Sequence, residues 1–250
     1  MCTPATFHPI DVLLLLPPSE GKAEGGRLTA RADGTSGWAP AGGRFGRREG
    51  IARRRELIVA ALAEIGGGDG RLLGLKEGDL LDRARTANTT LVGSPTLPAW
   101  RRYTGVVWDH LDPATLEAPA RRRIAVVSGL LGVAAGDDQV PDYRLKMNVA
   151  LPAVGKLSTF WRDEVSAAIA RAGRGRVIID LLPNEHRAAW TPPPGVEHLR
   201  VELVDPTGRA GGHFAKAAKG RLARALLTDG SDALATWTDD RFDLAVVAPD

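Results

Sequence analysis

Three segments of this 250-residue chain share one layout: a short apolar run, then a polar turn carrying groups that hold charge or move protons. Leu13–Leu16 leads into Pro17-Pro18-Ser19-Glu20-Gly21-Lys22, Ile124–Val127 into Ser128-Gly129, and Val177–Ile179 into Asp180 and then Asn184-Glu185-His186. In open α/β sheets, ligands bind outside the carboxyl ends of the strands. If these runs are neighbouring parallel strands, their turns bring a lysine, two glutamates, an aspartate, a serine and a histidine to one cleft. There Lys22 would hold an anion, and Glu20 or Glu185, the candidate catalytic residues, would act as general base. Ser19-Glu20-Gly21-Lys22 lacks the glycine spacing of a phosphate loop and the Ser or Thr after its lysine, which excludes a nucleoside-triphosphatase. As a smaller anion site or a plain surface turn it stays open.

Other stretches add cations. Pro141–Met147 alternates, so a strand there would set Tyr143, Leu145 and Met147 on one side and Arg144 and Lys146 on the other, facing phosphates or lining a solvated edge. On a helix from His213 to Leu227, His213, Lys216 and Arg224 stack on one face, with Gly220 leaving a gap for a backbone or a phosphate. Leu72-Leu73-Gly74-Leu75-Lys76 before a helix at Glu77–Arg85 could be a helix-hairpin-helix turn or an ordinary connection. The five histidines show no metal-ligand spacing, no GxSxG elbow occurs, and Cys2 has no companion to activate it, so we expect no metal, no cofactor and no hydrolase triad.

The elements that must position these groups read as follows. Asp11–Leu16, Arg123–Ser128 and Arg176–Leu182 are buried strands, Leu199–Val204 is a more exposed one, and Phe242–Val247 is the last. Helices are expected at Arg47–Ile65, Glu77–Arg85, Leu97–Asp109 (Trp100, Val107 and Leu111 inward), after an N-cap at Ser158, and at His213–Leu227. Residues 23–46, rich in Gly, Ala and Arg, read as a flexible loop. Interleaved strands and helices predict an α/β fold with a mixed sheet, one domain over 1–250 with a helical lobe inserted at about 47–112.

A composition of 44% hydrophobic and 25% charged residues excludes disorder, collagen and coiled coil. The single cysteine excludes a disulfide framework and fits a reducing cytosol. No apolar run reaches membrane-spanning length, so the expectation is a cytoplasmic protein without membrane contact. Net charge is only +3, but Gly43–Arg55 holds six arginines against Glu49, while the last 22 residues hold six aspartates against Arg241. The 27 Arg to 6 Lys reflect codon bias, which makes each lysine more informative.

Several of these blocks together resemble the YaaA peroxide-stress protein family. They are Leu13–Lys22, Ser128–Val133, Pro141–Met147, Phe160-Trp161, Asp180–His186 and Phe214–Gly220. The chain departs from the pattern at Leu131, Ala134–Asp138, Pro183 and His186, and keeps Asn184-Glu185, Arg144 and Lys216. The resemblance implies an α/β fold with a basic cleft and a helix-hairpin-helix-like element, and a cytoplasmic protein of the hydrogen peroxide response. It further implies binding of double-stranded DNA and limitation of iron-linked damage. On that reading the DNA- or anion-binding residues are Ser19, Lys22, Tyr143, Arg144, Lys146, Asn184, Lys216 and Lys219. The alternative is an enzyme on a nucleobase, nucleotide or similar small anionic ligand, with Lys22 and Arg144 as anion holders. Neither reading fixes the oligomeric state.

Overall fold

The computed structural model describes residues 11–31, 34–207 and 212–247; Cys2, His8, Arg209 and the side chain of His213 lie outside them. The centre is a six-stranded mixed sheet. Its strands are β1 (Val12–Leu16), β2 (Ile124–Ser128), β3 (Gly132–Ala135), β4 (Val177–Asp180), β5 (His198–Val204) and β6 (Asp243–Val247), in the spatial order β6-β5-β4-β1-β2-β3. β5, β4, β1 and β2 run parallel, and β6 and β3 are antiparallel edges. Every residue of β1, β2 and β4 is buried, which is why they are apolar up to their last residues, Ser128 in β2 and Asp180 in β4: helices and loops cover both faces of a parallel sheet.

Among the described residues the helices longer than one turn are α1 (Glu49–Glu64), α2 (Asp79–Thr89), α3 (Val106–Leu111), α4 (Leu157–Ala172) and α5 (Gly212–Asp229). α1 buries Ile51, Ile58, Ala61 and Leu62, and α4 buries Trp161, Val165, Ala168 and Ile169, both at the helical spacing read from sequence.

Several local expectations fail for identifiable reasons. Leu97–Asp109 is not one helix but a short strand (Thr96–Pro98), a one-turn helix (Ala99–Arg102) and α3, because Gly105 at φ 105° breaks the path. Trp108 is buried beside Leu111, whereas Trp100 and Val107 are only partly covered. Ser158 does not cap α4. Lys156 holds that position, and Ser158 lies buried inside the first turn with its hydroxyl unpartnered. The edge strand β3 follows directly on the β2 turn and had no separate signal.

The described parts of the 23–46 segment are pinned rather than loose at Ala23, Gly25, Pro40 and Gly42. Buried Arg102 donates from Nη1 to the Ala23 carbonyl and from Nη2 to the Gly25 carbonyl at 2.9 Å. Buried Arg55 donates to the carbonyls of Pro40 (2.9 Å), Gly42 (2.8 Å), Leu131 (3.0 Å) and Val133 (2.9 Å). Both guanidiniums are matched mainly to backbone dipoles, and burial lowers the pKa of Arg55 to about 10.

Nor is 141–147 a strand beyond Pro141. The chain runs extended from Asp142 to Lys146 without a ladder, yet its burial alternates as expected: Tyr143, Leu145 and Met147 inside, Arg144 and Lys146 half-buried. Asn88 of α2 supplies what a neighbouring strand would. Its Oδ1 accepts from the Arg144 N–H at 2.9 Å, and its Nδ2 donates to the Arg144 carbonyl at 2.8 Å.

The gap that Gly220 leaves on α5 is filled by the protein itself. A Cβ there would meet the Val107 carbonyl at 2.5 Å and His110 Cβ at 2.6 Å, so α3 packs directly on it. Arg224 then donates to the carbonyls of Leu111 and Asp112, both at 3.1 Å, closing the C-terminus of α3. Gly220→Ala should therefore lower stability by about 1–3 kcal/mol through overpacking, despite the better helix propensity of alanine. Urea unfolding reads this out; an unchanged or raised midpoint would show that α3 and α5 separate without cost.

Candidate functional site

β1 and β4 are neighbours, but the chain leaves β1 for β2 on one side and β4 for β5 on the other. This is a topological switch point, where the turns diverge and leave a crevice. A crevice of about 500 Å³ opens there. The turn after β1 lines it with Pro17–Lys22, and the turn after β4 with Pro183, Glu185 and His186. The extended segment supplies Arg144–Lys146, the start of α3 supplies Thr104–Trp108, and α5 supplies Lys216. A second cavity, of about 190 Å³, lies against Lys22, Arg144 and Glu20 on the side of α2.

Lys22 sits where the two cavities meet. Its Nζ donates to the Ser19 carbonyl at 3.1 Å and lies 4.2 Å from the ring centroid of Tyr143 and 5.7 Å from that of Tyr103. Among the described residues no carboxylate stands within ion-pair distance of it. Burial pulls its pKa down to about 7. The charges of Arg144 and Arg102 push the same way, against Asp142 and Glu20. The phenol beneath it belongs to a buried hydroxyl chain: Tyr103 and Tyr143 share a hydrogen bond at 2.8 Å, and Tyr143 bonds Ser128 at 2.7 Å. Burial raises both phenols, Tyr143 to about 12, so they stay neutral.

Glu20 bridges two cations. Its Oε2 accepts from Arg144 Nη2 at 2.8 Å, and its Oε1 lies 3.3 Å from Lys146 Nζ. Partial burial would raise its pKa, but the Lys146 hydrogen bond and the Arg144 charge hold it below the usual carboxylate range. Glu20 thus supplies the one carboxylate that Arg144 and Lys146 share among the described residues. Lys146 also lies against Gly74, where a Cβ would meet its Nζ at 2.7 Å. Gly74 itself (φ 64°) is the left-handed C-cap of the one-turn helix Gly70–Leu73, with the Leu75 N–H donating to the Gly70 carbonyl at 2.9 Å.

Across the crevice, Glu185 and His186 belong to the one-turn helix Asn184–Arg187. His186 is buried, its Nδ1 3.4 Å from Glu185 Oε1 without a hydrogen bond between them, and burial lowers its pKa to about 4, so the ring is neutral at pH 7. Asp180 does not reach the crevice. Fully buried, it accepts from the Leu182 N–H at 2.7 Å and from Arg187 Nε at 2.9 Å, and so fixes the turn that presents Glu185. Burial opposes its ionisation, but His198, Arg187 and the Leu182 N–H outweigh that and hold its pKa low.

Of the residues expected to act, Ser19, Glu20, Lys22, Arg144, Lys146, Glu185 and Lys216 line the crevice. Tyr143 supports it from beneath. Ser19 positions the turn: its Oγ accepts from the Thr104 N–H at 2.9 Å. Asn184 stands apart, its Oδ1 accepting from Arg187 Nη1 at 2.8 Å. Lys219 lies behind the turn, donating to the Leu181 carbonyl at 2.8 Å, with burial lowering its pKa to about 8. Ser128 is buried under Tyr143 rather than in the cleft. Of the arginine-rich segment, Arg55 is a core residue, Arg54 stacks on Phe160 at 5.0 Å, and Arg44 donates to the Arg122 carbonyl at 3.4 Å, away from the crevice. Tyr103, Thr104 and Trp108 were missed. Lys22 pairs by a single β-bridge with Tyr103, a contact across 81 positions that no local spacing encodes.

The geometry defines a mixed α/β protein with a cation-lined crevice at its switch point. The family model described as peroxide stress protein YaaA matches residues 14–243, and the chain belongs to that family. It is 37% identical over 232 residues to a UPF0246 protein of Streptomyces coelicolor, covering 88% of this chain and 84% of the relative. It is 36% identical over 229 residues to a UPF0246 protein of Corynebacterium efficiens, covering 89% and 87%. The expected role in peroxide stress stands with the family. Among the described residues no helix is long and apolar enough to cross a membrane.

The lowered pKa of Lys22 sets a pH dependence. Between about pH 7 and the ordinary lysine range the unfolded chain binds a proton that the folded chain has lost, so stability should rise with pH across that window. Lys22→Met should flatten this rise and raise stability near pH 6, where wild type buries a charge. Urea midpoints from pH 6 to 9 test it; parallel curves for the two proteins would mean Lys22 is fully solvated.

Proposed function

We propose that this cytoplasmic peroxide-stress protein binds DNA, and that Lys216, Lys146 and Arg144 take the phosphates along the rim of the switch-point crevice. The observation that carries the reading is the convergence of three cations from two distant segments (Arg144 and Lys146, Lys216) on the opening that Lys22 also lines, with Glu20 already held between two of them. The crevice volume suits one nucleotide unit rather than a duplex, so a duplex would lie across the rim. The contacts are to charge and not to base edges, which makes binding sequence-independent. Limitation of oxidative and iron-linked damage would follow from this occupancy of DNA.

A second reading, an enzyme on a nucleotide-sized anion, is favoured by two groups that phosphate binding does not need. They are the near-neutral amine of Lys22 and the buried, neutral His186, whose Nδ1 lies 3.4 Å from Glu185 Oε1. Glu185 faces the same space and would serve as base.

Lys216→Ala should weaken every duplex sequence alike and reduce the log–log salt slope by about 0.9. Glu20→Gln should act oppositely, raising affinity several-fold, because it releases Arg144 and Lys146. Glu185→Gln should leave DNA affinity unchanged or higher, whereas on the enzyme reading it abolishes turnover while substrate still binds. Fluorescence titrations across salt concentrations measure all three. If neither Lys216→Ala nor Glu20→Gln moves the DNA affinity, the crevice is not where DNA binds.

A further inference from the structure

The three parallel strands that end near the crevice begin on the opposite side of the sheet, and the residues just before them carry charge as well. Asp11 precedes β1, Arg123 precedes β2 and Arg176 precedes β4. β1 lies between the other two, which brings the three side chains together. Arg123 Nη1 donates to Asp11 Oδ1 at 2.9 Å, and Arg176 Nε donates to Asp11 Oδ2 at 2.7 Å. One carboxylate thus spans two cations, as Glu20 does at the other end. The length of β1 separates the two places, about 20 Å from Asp11 to Pro17 at about 3.3 Å per residue.

A cavity of about 610 Å³ opens here. Four guanidiniums line it, those of Arg44, Arg122, Arg123 and Arg176, against the single carboxylate of Asp11. The fold fixes where they stand. Buried Asp138 holds the Arg44 backbone, accepting from its N–H at 2.6 Å and from the Ala135 N–H at 2.9 Å. Arg123 also donates to the Leu227 carbonyl near the end of α5, and Arg176 to the Ala172 carbonyl at the end of α4, at 3.0 Å. These bonds engage only part of the five donors of each fork. Arg44 and Arg122 are freer still. Among the described residues the Arg44 side chain makes one long bond, 3.4 Å to the Arg122 carbonyl, and the Arg122 side chain makes none, its nearest carboxylate oxygen being Asp137 Oδ2 at 3.7 Å.

We propose that this cavity is a second anion site, separate from the crevice, and that its ligand presents a phosphate group to Arg44, Arg122, Arg123 and Arg176. Planar forks with parallel N–H pairs match phosphate oxygens two at a time, and a multiply charged phosphate answers an excess of guanidinium over carboxylate. Asp11 keeps two of the forks in place while the site is vacant of ligand, and the exposed side chains of Arg44 and Arg122 make the first contact. Two sources carry this group: a free phosphate compound and the backbone of a nucleic acid.

The full chain is titrated at low salt with inorganic pyrophosphate, by calorimetry, and with duplex DNA, by fluorescence. Wild type is compared with Arg44→Gln/Arg122→Gln and with Lys216→Ala. The expected result is a saturable pyrophosphate site that the double substitution weakens at least about tenfold and that persists in Lys216→Ala. Duplex affinity that falls with the arginine pair, the log–log salt slope shrinking by about 0.9 for each phosphate lost, assigns the group to nucleic acid. Duplex affinity unchanged while pyrophosphate binding is lost assigns it to a free phosphate compound. No saturable binding of either probe, or affinities for both that the arginine substitutions leave unmoved, overturns the proposal. So does pyrophosphate binding that disappears in Lys216→Ala alone, which would leave the crevice as the anion site. The duplex titration of Lys216→Ala reports the crevice separately, so either reading can fail without the other. Should the double variant fail to fold, Asp11→Asn decides. It frees two forks from their shared acid, and pyrophosphate affinity should rise several-fold; an equal or lower affinity overturns the proposal.

Discussion

Asn88 gives Arg144 the two backbone hydrogen bonds that a neighbouring strand would otherwise supply, and the crevice depends on that substitution. A buried, unpaired N–H or carbonyl costs free energy comparable to a lost hydrogen bond, so an extended segment crossing the end of a sheet needs a partner. With Asn88 in that role, Asp142–Lys146 runs straight while staying outside the ladder. Alternation then does the rest: Tyr143 turns down to Ser128 and Tyr103, and Arg144 and Lys146 turn up to Glu20. Asn88 also donates to the Gly67 carbonyl at 2.8 Å, so the loop ahead of α2 and the crevice wall share one side chain. The turn after β2 must stay small beneath this segment, because a Cβ on Gly129 would meet the carbonyls of Leu145 and Lys146 at 2.9 Å.

The parallel strands were legible in the chain because burial on both faces leaves no choice of residue type. Val12–Leu16, Ile124–Val127 and Val177–Ile179 could hardly be anything else, and their turns follow from their direction. The crevice was legible to the same extent, since residues next to a strand end inherit its position. Tyr103 and Trp108 were not, because they arrive from α3 and the turn before it, through tertiary packing alone. Lys219 and Arg224 were misread for another reason. A cation on a helix looks alike in sequence whether it meets solvent, a phosphate or a carbonyl, and here both meet carbonyls at the ends of other elements. The 141–147 stretch shows the limit of periodicity itself. Alternation correctly assigned the two faces and incorrectly implied a ladder, because it reports burial, not hydrogen bonding.

Charge is used in two ways that the net value of +3 conceals. Arg55 and Arg102 are fully charged and buried, and each is surrounded by carbonyls in the geometry a five-donor fork can satisfy. They fix loops that composition alone marks as loose. The crevice cations are differently matched, one carboxylate serving two of them. Glu20 therefore lowers the cost of holding Arg144 and Lys146 close together while its own side chain stays largely exposed. The acid among these cations is the counterion that stabilises their clustering.

The choice of lysine at position 22 follows from the same contrast. In a chain with 27 arginines and 6 lysines, an arginine could have donated to the Ser19 carbonyl and stacked on Tyr143 as well as any lysine. What arginine cannot do is give up its proton in this range of pH, however deeply it is buried. Arg55, buried but ringed by four carbonyls, is lowered only to about 10. Burial of Lys22 between Arg144 and Arg102 brings it to about 7. If the site required only positive charge, the desolvated position would suit a guanidinium better, being more weakly hydrated and always ionised. A lysine there is partly desolvated and costs stability as an ion, so its charge is the one in the crevice that burial most opposes.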